Sequence, residues 1–149
     1  MTARHQSLSL LLVAAMLVPA SVRAAEFRSV GEAGAVLYDA PSAQARKLFV
    51  ARRYYPLEIV VALEQWDKVR DVNGDLAWVE KRALSEQRMV IVTAPRALVR
   101  AAPDPGAPLV FAAERDVALE VLEISRGWVR VAHVDGQTGY VAANEVWGL

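Results

Sequence analysis

Trp66-Asp67-Lys68-Val69-Arg70-Asp71-Val72-Asn73-Gly74-Asp75-Leu76-Ala77-Trp78-Val79 and Trp128-Val129-Arg130-Val131-Ala132-His133-Val134-Asp135-Gly136-Gln137-Thr138-Gly139-Tyr140-Val141 are two versions of one pattern, set apart by 62 residues. In each, apolar residues alternate with polar ones on the way into a turn-forming pair, Asn73-Gly74 or Asp135-Gly136, and alternate again on the way out. Alternation of period two marks a strand with one buried face, and Asn-Gly or Asp-Gly between two such runs marks a hairpin of two residues. The same offset carries Ala40-Pro41 onto Ala102-Pro103, Phe49 onto Phe111 and Leu57-Glu58 onto Leu119-Glu120 without a gap. The chain is therefore a tandem of one small module. A period this long, repeated only twice, describes two small domains in series rather than a solenoid.

Other short runs add strands to each copy, among them Leu57, Ile59 and Val61 in the first and Leu119 and Val121 in the second. Pro103-Asp104-Pro105-Gly106-Ala107-Pro108 is a loop, since proline cannot donate to a ladder. Outside the N-terminal segment nothing of helical length has a period of 3.6. Five or so short strands in about 60 residues predict an all-β chain of two strongly bent barrels. The junction Ser85 to Arg88 leads straight into Met89-Val90-Ile91-Val92 without the glycine and serine of a flexible linker. That run is expected to open the second barrel, covered by the first.

Arg4, the apolar run Leu8 to Val18 broken only by Ser9, and Val22-Arg23-Ala24 have the layout of a secretory signal peptide, with cleavage expected between Ala24 and Ala25. An eleven-residue run covers about half of the roughly 20 that a spanning helix needs. The expected organisation is a signal peptide over 1–24, one domain over 25–86 and a second over 87–149, with the protein periplasmic or extracellular and no stable membrane insertion after cleavage. The chain has no cysteine, which excludes disulfides and lipidation at a thiol. Without Arg4 and Arg23, fifteen of the seventeen basic residues face seventeen acidic ones, a net charge of −2 that offers no general attraction to nucleic acid.

The quoted segments resemble the W-x-x-V, G-x-x-G-W-V signature of bacterial SH3-like domains, and the resemblance covers essentially all of the chain after residue 24. Tyr55-Pro56-Leu57-Glu58-Ile59-Val60 and the closing Glu145-Val146-Trp147-Gly148 are similar to exported bacterial proteins built from two such domains. The resemblance implies a non-catalytic binding module of the cell envelope whose ligand is cell-wall peptide (peptidoglycan) or an envelope protein. The alternative is a scaffold that regulates an envelope enzyme without binding the wall. The chain departs from the family where Ala77 replaces the glycine of Gly-Trp-Val and where only the second copy, at Val99-Arg100, keeps a Val-Arg pair.

Alternation places Trp66, Lys68 and Arg70 on the strand face opposite Val69, and Trp128 and Arg130 opposite Val129 and Val131. An aromatic ring beside basic side chains on an outer face suits a peptide or glycan, because a flat ring gives contact area at low entropy cost. Trp66, Trp128, Tyr38, Lys68 and Arg130 are thus the candidate ligand-binding residues; the opposing reading puts each tryptophan under a loop or between the barrels. Tyr38 enters through Val36-Leu37-Tyr38-Asp39, which is similar to the first aromatic segment of eukaryotic SH3 domains. Ala142 and Glu145 stand where the later proline and tyrosine would, which argues against polyproline recognition.

No cofactor or metal is expected. Beyond the leader the one histidine is His133, too few for a zinc or copper site. Asp71-Val72-Asn73-Gly74-Asp75 looks like a calcium loop but has Gly74 too early and Arg82 in place of the closing glutamate. His133 has no nucleophile motif beside it, and Glu64 with Asp67 is a carboxylate pair such as any surface offers. Arg46, Lys47, Arg52 and Arg53 form a basic cluster with no counterpart in the second copy, read as solvated strand ends.

Overall fold

The computed structural model describes residues 24–149; the expected leader, save Ala24, lies outside them. The first copy contains β1 (Glu26–Val30), β2 (Ala35–Tyr38), β3 (Lys47–Ala51), β4 (Pro56–Ala62), β5 (Trp66–Arg70), β6 (Leu76–Glu80), a 3-10 turn Lys81–Ala83 and β7 (Leu84–Ser85). The second repeats them as β8 (Met89–Val92), β9 (Arg96–Arg100), β10 (Leu109–Glu114), β11 (Ala118–Ser125), β12 (Trp128–Ala132), β13 (Thr138–Ala142), a 3-10 turn Ala143–Glu145 and β14 (Val146–Trp147). The strands form two seven-stranded sheets in the same order, β3-β2-β6-β5-β4-β1-β7 and β10-β9-β13-β12-β11-β8-β14. The all-β class follows the sequence; the strand count per copy is higher than the five expected, because the terminal pieces are too short to show a period.

One face of each sheet gathers into a single core cluster. Val30, Leu37, Leu57, Val69 and Val79 lead the first, and Val92, Val99, Leu119, Val131 and Val141 the second. Each full burial of such a side chain contributes about 1.5–3 kcal/mol. Two expectations are corrected. Leu57, Ile59 and Val61 do not share one face: the register of β4 against β5 shifts between Ile59 and Val61, so Leu57 is buried and Ile59 packs on the core while Val61 is exposed. Such a bulge reverses the faces beyond it. The Asn73-Gly74 turn is a loop of three residues, not two. Asp71 N donates to Asp75 O at 3.0 Å and Gly74 N to Asp71 O at 3.0 Å, with Gly74 at φ 89°. The second copy does the same through His133 and Gln137, with Gly136 at φ 93°. A third loop residue in the left-handed region is the usual way to close such a hairpin, and glycine takes it without strain.

β8 is buried on both faces. Val90 and Val92 join their own core, while Met89 and Ile91 are also buried but outside it, on the side of the first copy. Phe27 and Ser29 are likewise buried and absent from the first core cluster. Phe27 meets Trp147 edge to face at 5.1 Å, Ser29 Oγ donates to Gln87 O at 2.8 Å, and Arg88 reaches Gly148 O at 3.2 Å. The Arg52 guanidinium also donates to Asp116 O. A Cβ on Gly148 would stand 2.8 Å from Met89 O and 3.2 Å from the Pro56 side chain. The opening strand of each copy thus serves the contact between them, and the short junction Glu86-Gln87-Arg88 is held at its carbonyls rather than left free.

Candidate functional site

The outer face of the first sheet carries a row of side chains fixed by strand register. Tyr38 on β2 pairs with Trp78 on β6, which pairs with Lys68 on β5, and Trp66 on β5 pairs with Glu80 on β6. Asp67, Val69, Ala77 and Val79 turn inward and are buried, so the alternation leaves Trp66, Lys68 and Trp78 outward. Trp66 meets Tyr38 edge to face, 5.4 Å between centroids at 84°. The Lys68 ammonium lies 5.9 Å from the Trp78 ring centre, within the range of a cation–π contact. Beside Trp66 opens a cleft of about 510 Å³ lined by Glu64, Gln65, Glu80, Lys81 and Arg82, where Arg82 is ion-paired to Glu80.

Four of the expected residues therefore take the expected side of their strands, with two corrections. Tyr38 is 92 % covered, at 8 % exposure, so it supports Trp66 rather than offering a surface of its own. Lys68 sits over Trp78, not Trp66; Trp78 was not singled out, although its alternation with Val79 is legible. Trp66 and Trp128 are half-buried, Trp66 packs on Tyr38 of its own copy, and the aromatic contact between the copies is that of Trp147 with Phe27.

The second copy keeps the register and changes the chemistry. Arg130 pairs with Tyr140, which pairs with Arg100, and Trp128 pairs with Ala142. Arg100 occupies the place of Tyr38 and donates to Ala107 O at 2.9 Å, across the proline-rich loop. Trp128 thereby lacks the ring that braces Trp66, and Ala142 removes the carboxylate found at Glu80.

The remaining candidates fall into local roles. His133 stands where the first copy has Asp71; Asn73 N and Asp75 N donate to Asp71 Oδ1 at 2.9 Å, whereas His133 Nδ1 lies 3.0 Å from Asp135 Oδ1. The amide and side chain of Gln137, and after them His133, hold the Asp135 carboxyl at about 2. In the basic cluster Arg46 pairs with Asp39 at 3.2 Å and Arg53 with Glu32 at 3.3 Å, as local ion pairs. Asp67 is not the surface carboxylate expected beside Glu64, since it shares the inward face of Val69. A further cleft of about 540 Å³ lies between the copies, lined by Phe49, Arg52, Tyr55 and Asp71 from one and by Ile91 and Asp116 from the other. It was not legible in the sequence because it depends on how the copies dock. Among the described residues no group of His, Cys, Asp and Glu could hold a metal ion, and no helix is long and apolar enough to cross a membrane.

A family model described as bacterial SH3 domain matches the chain twice, over residues 31–86 and 93–148. The protein belongs to that family. β1 and β8, the strands that join the copies, precede the matched segments. No curated protein sequence matches the chain. Solved structures it is similar to include NlpC2 from Trichomonas vaginalis (14% identity, TM-score 0.39, 85% of this chain and 49% of that one) and NlpC1 from the same organism (15%, 0.39, 89% and 50%). An NlpC/P60 family protein from Bacillus cereus gives 14% identity and a TM-score of 0.35 over 82% of this chain and 56% of that one. The chain spans about half the length of these structures, and their global likeness is slight.

Proposed function

We propose that the protein is exported, released by cleavage between Ala24 and Ala25, and acts in the cell envelope as a non-catalytic binding module for the peptide of the wall polymer. Each sheet closes as a small barrel around its core cluster, and the ligand lies on the outer face of the first. The observation that carries this reading is the braced aromatic face of Trp66, Tyr38 and Trp78 with Lys68, beside an open cleft. Rings held by neighbours lose little entropy on binding, and the polar rim of Glu80 and Lys81 supplies partners for peptide amides. Membership of the bacterial SH3 family agrees with a binding role.

A protein partner is the second reading. It is favoured by apolar side chains on both β4–β5 and β11–β12 hairpins, where Val61, Leu63, Leu122 and Ile124 are exposed. Cosedimentation of residues 25–149 with purified peptidoglycan sacculi separates the two. Wall recognition predicts binding that Trp66→Ala weakens more than Trp128→Ala. Absence of binding by the unmodified protein overturns it and leaves crosslinking in the envelope to find the partner.

A further inference from the structure

One end of the first core is polar where the same end of the second is apolar. The 62-residue offset carries Arg28, Asp67, Lys81 and Ser85 onto Val90, Val129, Ala143 and Trp147. Val90 and Val129 are fully buried in the second core, with Ala143 packed on it. The first-copy residues instead line a cavity of about 240 Å³, together with Ile59, Ala62, Leu84 and two further carboxylates, Glu26 and Glu86. The Asp67 side chain is only 8 % exposed, and its Oδ1 is buried without a hydrogen-bond partner. Lys81 Nζ stands 3.5 Å away on a side chain 40 % exposed, at the outer limit of a hydrogen bond, so it supplies charge more than a bond. Arg28 pairs with Glu26 at 3.0 Å and donates to Phe27 O at 3.2 Å, so it reaches Asp67 as charge rather than as a bond.

A buried carboxylate oxygen without a donor is costly, and the second copy shows that the fold accepts valine at this position. The unmet need is for a donor. The cavity also offers a flexible ammonium that can turn to an incoming anion. Opposite charges one side chain apart, in a space of this size, match a molecule that carries both charges itself.

We propose that this cavity binds a small zwitterion, a free amino acid with a short side chain. Its ammonium donates to Asp67 Oδ1, and its carboxylate accepts from Lys81 Nζ, which swings off Asp67 to meet it. Valine at 129 and alanine at 143 confine the site to the first copy. The site shares Lys81 with the rim of the Trp66 cleft but is built on the inward Asp67, and it does not depend on wall binding.

Amide chemical shifts of residues 25–149 titrated with glycine and with L-alanine test the proposal. Saturable shifts are expected at Asp67, Lys81, Leu84 and Ser85, and none with acetate or methylammonium at the same concentrations. Asp67→Val should fold, melt higher than the unmodified protein, and bind glycine about tenfold or more weakly, as for one lost hydrogen bond to a charged group. Asp67→Asn should lose the same affinity with the cavity's shape kept. No saturable response to either amino acid overturns the proposal. So does an unchanged response in the two variants, or an equal response to methylammonium alone.

Discussion

The two copies share register, loop length and core pattern and differ where side chains leave the backbone plan. The outer face of the first holds Tyr38, Trp78, Lys68 and Trp66; the same places in the second hold Arg100, Tyr140, Arg130 and Trp128. At the end of the core, buried Asp67 and half-exposed Lys81 stand where the second copy has Val129 and Ala143. Backbone geometry needs only the alternation and the turn glycine, so it tolerates both sets. The second copy has the drier core; the first carries a braced aromatic face and a buried charge, both of which a purely structural module has no reason to keep. On the proposed function, ligand contact falls to the first copy and support to the second.

The largest effect expected comes from moving the buried charge across. Val129→Asp places a carboxylate in a fully apolar core with alanine, not lysine, at 143. An uncompensated buried charge costs about 3–5 kcal/mol, enough to unfold a small module. Urea denaturation should show that loss, and Ala143→Lys should recover part of it. If Val129→Asp costs nothing, the two core ends are not different environments and the comparison fails.

Gly139 gives the next effect. A Cβ there would stand 2.6 Å from Val99 Cγ1 and 2.7 Å from Arg100 O, whereas Ala77 in the first copy sits buried with its methyl group accommodated. Gly139→Ala is expected to cost about 1–3 kcal/mol through overpacking, and Ala77→Gly less. Thermal melts of the two variants measure the contrast. The cause at Gly139 is close approach between β13 and β9, not a left-handed backbone.

Much of this was legible. Alternation around Val69 and Val131 fixed which side of each strand Trp66 and Trp128 occupy, and the uninterrupted run Met89-Val90-Ile91-Val92 announced a strand covered on both faces. Period two also puts Asp67 inward with Val69, yet its charge argued for the surface, and only the packed structure shows which tendency prevails. The bulge beyond Ile59 and the extra loop residue Val72 ahead of Asn73-Gly74 leave no mark in the alternation, since each is an extra residue in a ladder. Trp147 looked like part of a closing motif. Its contact with Phe27 lies 120 residues away and depends on docking.

That contact gives a third test. Phe27 and Trp147 are edge to face at 5.1 Å, and aromatic pairs of this kind are worth about 0.5–1.5 kcal/mol beyond the area they bury. A double-mutant cycle with Phe27→Leu and Trp147→Leu should return a coupling in that range. Zero coupling would mean that the copies are held together by β8 and the junction alone, and that the aromatic pair only fills space.

The smallest effect concerns pH. Burial pushes the Asp67 carboxyl above its ordinary 3.8, and the attraction of Lys81 offsets this only in part. A carboxyl whose folded-state value lies above its unfolded one carries no penalty at a pH below both. As pH rises from the unfolded value through the folded one, ionising it in the folded protein costs stability, and the full cost persists at neutral pH. Asp67→Asn cannot ionise, so its melting temperature relative to the unmodified protein should climb as pH is raised from below 3.8 toward neutral. The same substitution has no counterpart in the second copy, where position 129 is already apolar, so the slope isolates the first. A difference that stays flat with pH would mean that Lys81 compensates Asp67 fully. The carboxylate would then be a satisfied ion pair, and the amino-acid titration would have to carry the zwitterion site without this support.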